Sequence, residues 1–271
     1  MTTSPAAAIP AWATSRLRSW LSVRHSLRSE AAAVLVMYGL YELARGLVVG
    51  DTSEANRHAL QLVGLERSLH LFLEANVQHA AHALPGLTSL LGTAYLTLHL
   101  AVTAGVLLWL HRRRLAAFPF LRTALLLASG LALVGFLVYP TAPPRLAGIG
   151  IADTVTNGHV NLNKGLVSSL YNPYAAVPSM HIGYALLVAA SLFHHGRGRL
   201  VRMLAALYPP FVLLVVVATG NHFFLDAAAG ALVAVVAAAG AALLTPRVAP
   251  SRISELPTRP EPLPAFEKLA A

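Results

Sequence analysis

The sequence contains no cysteine and few charged residues. Without cysteine, disulfide bonds, thiol catalysis and cysteine metal sites are excluded. Asp, Glu, Lys and Arg together make up 11% of the 271 residues, whereas a soluble domain carries about 25%. Since 56% of the residues are hydrophobic, these few charges cannot cover a soluble surface. The composition therefore predicts a polytopic membrane protein.

Acidic residues are the scarcer charge, with 11 Asp and Glu against 20 Lys and Arg. The resulting net charge of +9 would be compatible with nucleic-acid binding. The basic residues, however, form short clusters between apolar runs, which is the pattern of cytoplasmic loops in membrane proteins. We therefore expect a membrane lipid as the partner and no nucleic acid. The sequence does not indicate an oligomeric state.

The apolar runs predict an all-α fold with six transmembrane helices across a ~30 Å hydrocarbon layer. The six runs are residues 31–50, 86–110, 121–139, 179–195, 204–219 and 222–244. Between the first two runs, residues 51–85 place charged residues among leucines at helical spacing. This pattern predicts one or two amphipathic helices outside the membrane or along its surface. The histidines of this segment are expected to face solvent rather than to bind a metal: His58, His70, His79 and His82.

The chain divides into three parts. Residues 1–30 form a basic cytoplasmic segment, and residues 31–245 form the membrane domain. Residues 246–271 form a cytoplasmic tail that is rich in proline and charge and is predicted to be disordered. Fifteen of the 20 Lys and Arg residues lie in the two terminal segments and in the 111–122 and 197–202 loops. With six spans, this distribution places both termini in the cytoplasm and the opposite helix ends outside the cell membrane.

The segment 219–226, Thr-Gly-Asn-His-Phe-Phe-Leu-Asp, is the main catalytic candidate. His222 and Asp226 are four residues apart, so a helix that began here would place both side chains on one face. The carboxylate of Asp226 would then accept a hydrogen bond from one ring nitrogen of His222 and leave the other nitrogen free to attack. A charged residue at the mouth of an apolar helix is unfavourable in lipid, which by itself indicates function.

A second polar element opens the fourth span, at Pro178-Ser179-Met180-His181. Proline suits a first helical turn and serine can cap it, so the helix is predicted to begin at Ser179. Its unpaired N–H groups would form an anion site at the positive helix end, with His181 beside it. A third element is Arg145, in a proline-stiffened segment, whose guanidinium can bind two phosphate oxygens. All three elements are expected to face outward.

Together these residues predict metal-independent phosphoryl transfer, and no cofactor is expected. His222, oriented by Asp226, would attack phosphorus as a neutral nucleophile and form a phosphohistidine. Protonated His181 would donate to the leaving oxygen and later act as the base for water or an alcohol. The groups expected to stabilise charge on the phosphate oxygens are Arg145, Ser179 and Met180.

The motifs resemble a known family. Residues 178–181 and 220–226 look like the second and third signatures of the type-2 phosphatidic acid phosphatase superfamily. More closely, residues 140–145, 172–181 and 219–222 resemble its inositol phosphorylceramide synthase-like, or inositolphosphotransferase, branch.

The resemblance implies a six-helix membrane fold, a phosphohistidine intermediate at His222, His181 as acid and base, and Asp226 as the orienting group. The chain departs from the broader superfamily at two places. The first signature, with lysine and arginine, is missing, and the resemblance puts Arg145 in its place. Val216 stands where an arginine would precede the nucleophile by six residues. Fewer cations would therefore hold the phosphate.

Six further residues are candidates for a headgroup or acceptor pocket: His99, Tyr95, Tyr171, Asn172, Tyr174 and Lys164. A histidine inside an apolar span indicates function by default, although a buried hydrogen bond to a neighbouring helix explains His99 equally well. The two loop tyrosines and the asparagine would form a lid or simply pack the loop, and the lysine would contact phosphate or solvent. In the first span, Glu42 and Arg45 are expected to pair with each other or to face a polar cavity.

The function that best fits is transfer or hydrolysis of a lipid phosphate ester at the outer membrane face, with a headgroup such as phosphoinositol moved or released. The sequence does not separate water from an alcohol as acceptor. A phosphatidic acid or polyprenyl (di)phosphate phosphatase is therefore the alternative within the same class. An alternative of another class is an anionic-lipid transporter that uses Arg145 for binding only, or a catalytically inactive scaffold.

Overall fold

The computed structural model describes residues 27–47, 52–114, 116–155 and 174–245. Within these ranges the chain forms eight α-helices and no β-strand, which confirms the predicted all-α class for the described part. The helices are α1 (Leu27–Leu47), α2 (Thr52–Ser68), α3 (Glu74–His82), α4 (Leu87–Arg113), α5 (Phe118–Val138), α6 (Met180–His195), α7 (Arg199–Ala218) and α8 (Phe224–Leu244). A single 3-10 turn, Pro144–Leu146, follows α5.

Four of the described helices are long and apolar enough to cross a membrane, namely α4, α5, α7 and α8. Helix α6 has 16 residues, so it rises roughly 24 Å, which is short of a ~30 Å hydrocarbon layer. Helix α1 has 21 residues but carries two arginines and two glutamates. The apolar helices are typical of a membrane protein, and the prediction of six transmembrane helices is not confirmed.

Helices α2 and α3 lie between α1 and α4, where amphipathic helices are predicted, but not all their polar residues face solvent. Glu66 and Glu74 have no exposed surface. His58 is also buried, and its Nδ1 donates to the carbonyl oxygen of Pro140 at 2.7 Å. The prediction of a solvated face is therefore wrong for His58, because the alanines of α2 pack against Phe223, at the start of α8. Three histidines are exposed as predicted: His70, His79 and His82.

Helix α8 begins at Phe224, two residues later than the sequence predicts. Oδ2 of Asp226 accepts the N–H of Phe223 at 2.9 Å, and Phe223 itself has extended backbone. His222 therefore precedes the helix, and the expectation that it shares a helical face with Asp226 is wrong. The two residues meet because the carboxylate at the third helical position reaches back over the helix start.

The bundle core is formed by α5, α6, α7 and α8, with α4 at its side. Alanines are buried along the length of α8, at Ala227, Ala234, Ala237 and Ala241. Small side chains allow the helices to approach closely, as the alanine-rich sequence predicts. Helix α1 is joined to α5 by a buried ion pair between Glu30 and Arg122, at 2.5 Å.

One end of the bundle positions the candidate site. Here α5 and α7 end, and α6 and α8 begin. The segment after α5 and helices α2 and α3 cover this end. Ala142 donates its N–H to the carbonyl oxygen of Ala55 at 3.1 Å, and Ala152 donates to the side chain of Gln78 at 2.8 Å. The polar loops are therefore packed onto the helix ends that carry the predicted catalytic residues.

Candidate active site

The turn between α7 and α8 presents His222. Gly220 has φ +67°, a left-handed conformation that reverses the chain after α7 and favours glycine. Space also requires glycine, since a Cβ at Gly220 would lie 2.8 Å from Cγ2 of Ile151. The N–H groups of Asn221 and His222 both donate to the carbonyl oxygen of Val216, at 3.0 and 3.2 Å. The backbone at His222 is therefore held firmly.

Asp226 fixes the ring of His222. Nδ1 of His222 donates to Oδ2 of Asp226 at 3.4 Å, and both residues are buried. An ionised carboxylate only accepts hydrogen bonds, so with Asp226 ionised Nδ1 would carry the proton and Nε2 would keep its lone pair. His222 also lines a pocket, so its ring can contact a molecule bound there.

His181, the second residue of α6, lies beside His222. The two ring centroids are 5.6 Å apart in an edge-on arrangement. The His181 ring stacks on Tyr95 at 4.5 Å and meets the His99 ring edge-on at 4.2 Å. One imidazole from the first turn of α6 and one from the turn before α8 therefore lie within reach of one phosphoryl group. The structure also places Tyr95 and His99, which the sequence suggested for a headgroup pocket, in direct contact with His181.

The start of α6 rests on the first turn of α8. Ser179 is the extended N-cap residue, and its N–H donates to the backbone carbonyl of Asp226 at 3.0 Å. The expectation of an unpaired N–H is therefore wrong for Ser179, because the two helix starts are packed together. Its Oγ is buried and has no hydrogen-bond partner among the described residues. Met180 and His181 line the pocket.

Glycines allow α6 and α8 to cross closely. A Cβ at Gly230 would overlap the carbonyl oxygen of Ser179, and a Cβ at Gly183 would lie 3.2 Å from the carbonyl oxygen of Gly230. Any larger residue at Gly230 would push the helices apart. The distance between His181 and His222 therefore depends on a glycine two turns into α8.

Arg145 is held next to the turn between α7 and α8 but does not line the pocket. Its backbone N–H donates to the carbonyl oxygen of Gly220 at 2.9 Å. Its Nε donates to Oδ1 of Asn221 at 3.0 Å, and its Nη1 donates to Oδ2 of Asp153 at 2.7 Å. The predicted phosphate-binding arginine is thus adjacent to the site, with Asn221 between its guanidinium and the pocket.

The pocket extends from the two imidazoles to α1. Among its lining residues are five that the sequence singled out: Tyr95, His99, Met180, His181 and His222. Three residues of α1 that the sequence did not assign to the site also line it: Tyr38, Tyr41 and Glu42. An acidic residue in an apolar run, with two tyrosines at helical spacing before it, was the signal for this wall. The expectation that Glu42 faces a polar cavity fits this position.

The remaining predicted pocket residues are not at the histidines. The hydroxyl of Tyr174 accepts a hydrogen bond from Oγ1 of Thr52 at 3.3 Å, at the start of α2, and Tyr174 does not line the pocket. Tyr171, Asn172 and Lys164 lie outside the described residues, and so does the side chain of Arg45.

Two buried carboxylates at the start of α8 were missed by sequence reasoning. Oε1 of Glu74 accepts the N–H of Phe224 at 3.1 Å, and Oε1 of Glu66 accepts the N–H of Leu225 at 2.8 Å. Burial raises the pKa of Glu66 to about 8, and the hydrogen bond and charge of Glu74 act in the same direction. Among the residues that the structure describes, no group of three or more His, Asp or Glu could hold a metal ion.

The chain was compared with known proteins. A family model described as the PAP2 superfamily matches residues 60–240, a range that contains both histidines of the site and Asp226. No curated protein and no solved structure matches the chain. The model does not distinguish the inositolphosphotransferase branch, but it points to phosphatases and phosphotransferases of lipid phosphates. Because the match covers well over half of the sequence and includes the whole constellation around His222, the chain belongs to the PAP2 superfamily.

Proposed function

We propose that this chain is a membrane enzyme that transfers or releases the phospho group of a lipid phosphate ester through a phosphohistidine at His222. The observation that carries the proposal is the pairing of an imidazole from α6 with one from the turn before α8, with ring centroids 5.6 Å apart, at one pocket. Asp226 adds the third part, because it fixes which nitrogen of His222 is protonated. Membership of the PAP2 superfamily supports lipid phosphates as the substrate class.

In the first step, Nε2 of His222 attacks the phosphorus atom. The N–P bond forms as the P–O bond to the leaving group breaks, and the proton on His181 passes to the leaving oxygen. The His222 ring becomes positively charged as the bond forms. The carboxylate of Asp226, 3.4 Å from Nδ1, stabilises that charge.

In the second step, an acceptor hydroxyl loses its proton to His181 and attacks the phosphorus atom. The N–P bond breaks, and neutral His222 is regenerated. An alcohol acceptor gives a new phosphodiester, whereas water gives free phosphate or a free phosphoalcohol. The contacts of His181 with Tyr95 and His99 restrain the plane of its ring while the proton is exchanged.

The start of α6 would hold the phosphate. The buried hydroxyl of Ser179 and the backbone amide of Met180 lie at the positive end of that helix. Arg145 lies on the other side of the turn that carries His222, where its Nε donates to Oδ1 of Asn221. Its guanidinium would bind phosphate when the substrate competes with Asp153 for it. These groups stabilise the charge on the non-bridging oxygens.

The pocket wall on α1 would receive the headgroup. A carboxylate repels phosphate, so Glu42 suits the hydroxyl groups of a polyol, and Tyr38, Tyr41 and His99 add hydrogen-bonding and stacking surface. Such a wall favours a phosphodiester with a headgroup such as phosphoinositol. A phosphatidic acid or polyprenyl (di)phosphate phosphatase remains the competing function, because water as acceptor uses the same two histidines.

The proposed setting is a multi-pass protein of the cell membrane with both termini in the cytoplasm. In this topology α1 and α6 complete six spans. The basic residues between α4 and α5, and at the start of α7, mark the cytoplasmic side. Helices α6 and α8 begin at the opposite end of the bundle, so the site would face outward.

The test is turnover by the purified protein in detergent micelles with EDTA. Phosphatidic acid and phosphatidylinositol with a fluorescent acyl chain serve as substrates. The wild type is expected to release fluorescent diacylglycerol, and His222→Ala is expected to abolish release. His79→Ala, at an exposed histidine of α3, is the matched control and is expected to be unchanged.

Two further readings of this experiment separate the alternatives. An added alcohol that appears in a new phosphodiester identifies a transferase, and release with water alone identifies a phosphatase. Binding of both lipids by the wild type without any product would overturn the proposal in favour of an anionic-lipid transporter or an inactive scaffold.

A further inference from the structure

The start of α8 is held by three carboxylates that have no exposed surface. The hydrogen bonds run from the N–H of Phe223 to Asp226 (2.9 Å), from Phe224 to Glu74 (3.1 Å) and from Leu225 to Glu66 (2.8 Å). Asp226 belongs to α8 itself, but Glu66 lies near the end of α2 and Glu74 begins α3. Three successive backbone amides are thus bound by acids from three helices.

Capping alone does not explain this arrangement. At many helix starts a serine, threonine, asparagine or aspartate at the N-cap accepts one of the free N–H groups, and water can take the others. Here the N-cap is Phe223, whose side chain packs against Ala55 and Ala59 of α2. A buried carboxylate is unfavourable unless it is well hydrogen-bonded, and here two from other helices stand where a polar N-cap and water would ordinarily serve. What the two glutamates add is a fixed position of α8 relative to α2 and α3.

We propose that Glu66 and Glu74 are positioning residues for the nucleophile: they fix the first turn of α8 so that Asp226 stays within hydrogen-bond distance of His222. This inference rests on the proposed function, because it takes His222 as the attacking group. Neither glutamate touches the substrate in this proposal. Both act through the backbone that carries the orienting carboxylate.

Glu66 is linked to Asp226 through a single hydrogen bond and the adjoining peptide unit. Leu225, whose amide Glu66 holds, is the residue directly before Asp226. The hydrogen bond from His222 to Asp226 is 3.4 Å long, near the upper limit for such a bond. Loss of either glutamate leaves a buried amide without an acceptor, and the turn must shift to find another. A shift of a few tenths of an ångström would break the contact that sets the His222 tautomer.

The two glutamates also direct the phosphate to the other helix start. Exposed N–H groups at a helix N-terminus attract anions. At α8 these groups already donate to Glu66 and Glu74, so they are not available to a phosphate. At α6, by contrast, Met180 and His181 line the pocket. The substrate charge therefore settles on the α6 side of His222, where His181 lies.

Glu66 and Glu74 lie beside each other at the start of α8. Glu66 and Glu74 are close enough to hydrogen-bond to each other once one is protonated, and the second oxygen of each has no other partner among the described residues. Asp226, and His222 beyond it, are the further titratable groups facing the pair. The pKa of Glu66, about 8, keeps the proton in place at neutral pH. Glutamine is the neutral isostere of that protonated acid.

The test compares alanine and glutamine variants in the full-length protein, with fluorescent phosphatidic acid as the probe. Glu66→Ala and Glu74→Ala are expected to lower kcat at least tenfold and to leave KM within twofold. Glu66→Gln is expected to stay within twofold of the wild-type kcat, because the amide oxygen accepts the same N–H. Glu54→Gln, at a side chain of α2 that is 44% exposed, is the matched control and is expected to be unchanged.

A purely structural role would lower yield or melting temperature and leave kcat per folded molecule unchanged, so kcat is normalised to the monodisperse fraction. Alanine variants that keep kcat within twofold would overturn the proposal. So would a Glu66→Gln variant that is no better than Glu66→Ala.

A second arm does not depend on turnover. Hydrogen–deuterium exchange of the peptide containing residues 223–226 is expected to be slow in the wild type and in Glu66→Gln, and fast in Glu66→Ala. This exchange pattern in a protein without turnover would overturn the proposed function while supporting the anchor. Wild-type turnover with equally slow exchange in Glu66→Ala would overturn the anchor and leave the function standing.

Discussion

The two histidines of the site are held by different physical means. His222 sits in a turn whose backbone is bonded to Val216, and its ring donates to the buried carboxylate of Asp226. His181 sits in the first turn of a helix, and its ring is restrained by Tyr95 on one side and His99 on another. One imidazole is fixed by hydrogen bonds, and the other by ring contacts.

The difference matches what each ring would have to do in the proposed mechanism. A nucleophile has to keep one tautomer and one direction, and a buried carboxylate supplies both. A group that gives up a proton in one step and takes one in the next has to keep both protonation states accessible. Ring contacts restrain the plane of His181 and favour neither state as strongly as a carboxylate would. Substitutions at Asp226, His181 and Gly230 test whether this division of roles holds.

The largest effect is expected for Asp226→Asn. Oδ2 of Asp226 accepts both the N–H of Phe223 and Nδ1–H of His222, so an asparagine oxygen in that position can keep both hydrogen bonds. The variant loses the negative charge that would stabilise the positively charged His222 ring as the N–P bond forms. We expect kcat to fall roughly 10²–10⁴-fold, with the melting temperature nearly unchanged. Steady-state kinetics and thermal unfolding of the same preparation check this. More than half of the wild-type activity would remove Asp226 from the mechanism.

The second prediction separates the roles of the two imidazoles. His181→Ala is expected to lower kcat roughly 10²–10⁴-fold on an alkyl phosphate ester, because an alkoxide leaves poorly without a proton. On a 4-nitrophenyl ester the leaving group needs no proton, so most of the loss in the first step should be recovered. The readout is the burst of 4-nitrophenol, one equivalent per enzyme.

His222→Ala is the matched control, since it should lose that burst with both esters. An equal loss for His181→Ala on the two esters would show that His181 is not the acid.

Much of this division is visible in the sequence, because it resides in residue types at short spacing. The four-residue interval between His222 and Asp226, and the run from Pro178 to His181, predicted side chains that the structure does bring together. The details of the contact were not predictable. The capping of the Phe223 amide by Asp226 delays α8, and that depends on backbone geometry rather than on residue spacing.

The two glutamates proposed to position α8 could not be predicted from the sequence, for a different reason. Glu66 and Glu74 lie among leucines at helical spacing, a pattern that is the same for a solvated and a buried amphipathic helix. Their partners are backbone amides 159 and 150 residues away, and a backbone amide leaves no mark on the sequence. The same limit applies to α6, whose 16 residues are apolar enough for a span but short for one.

A smaller effect is expected when the distance between the two imidazoles is changed. A methyl group in Gly230→Ala would overlap the carbonyl oxygen of Ser179, so α6 and α8 must separate. We expect kcat to fall about 10–100-fold, since a misplacement of about 1 Å has effects of this size. Gly130→Ala on α5 is the control, because a Cβ there has no neighbour within 4 Å. Equal activity in the two variants would show that the close crossing is dispensable.

The smallest effect concerns the contribution of Glu66 to the pH dependence of stability. The pKa of Glu66 rises from an ordinary value of 4.5 to about 8 on folding, chiefly because the carboxyl is buried. Between these values the folded protein keeps a proton that the unfolded chain has released, so stability falls as pH rises from about 4.5 to about 8. Glu66→Gln cannot titrate and should lose this part of the slope. Melting temperatures in detergent at several pH values check it.

The raised pKa of Glu66 is tested by how the difference in melting temperature between the wild type and Glu66→Gln changes with pH. The melting temperature of the wild type should decline relative to Glu66→Gln as pH rises through the window, and the difference should level off above about pH 8. Groups that do not interact with Glu66 titrate alike in both proteins and cancel in this comparison. If the melting temperature of the wild type stays constant relative to that of Glu66→Gln across the range, or rises relative to it as pH rises, Glu66 is ionised in the folded protein. The anchor of α8 would then be a pair of charged carboxylates, and glutamine would not be its neutral equivalent.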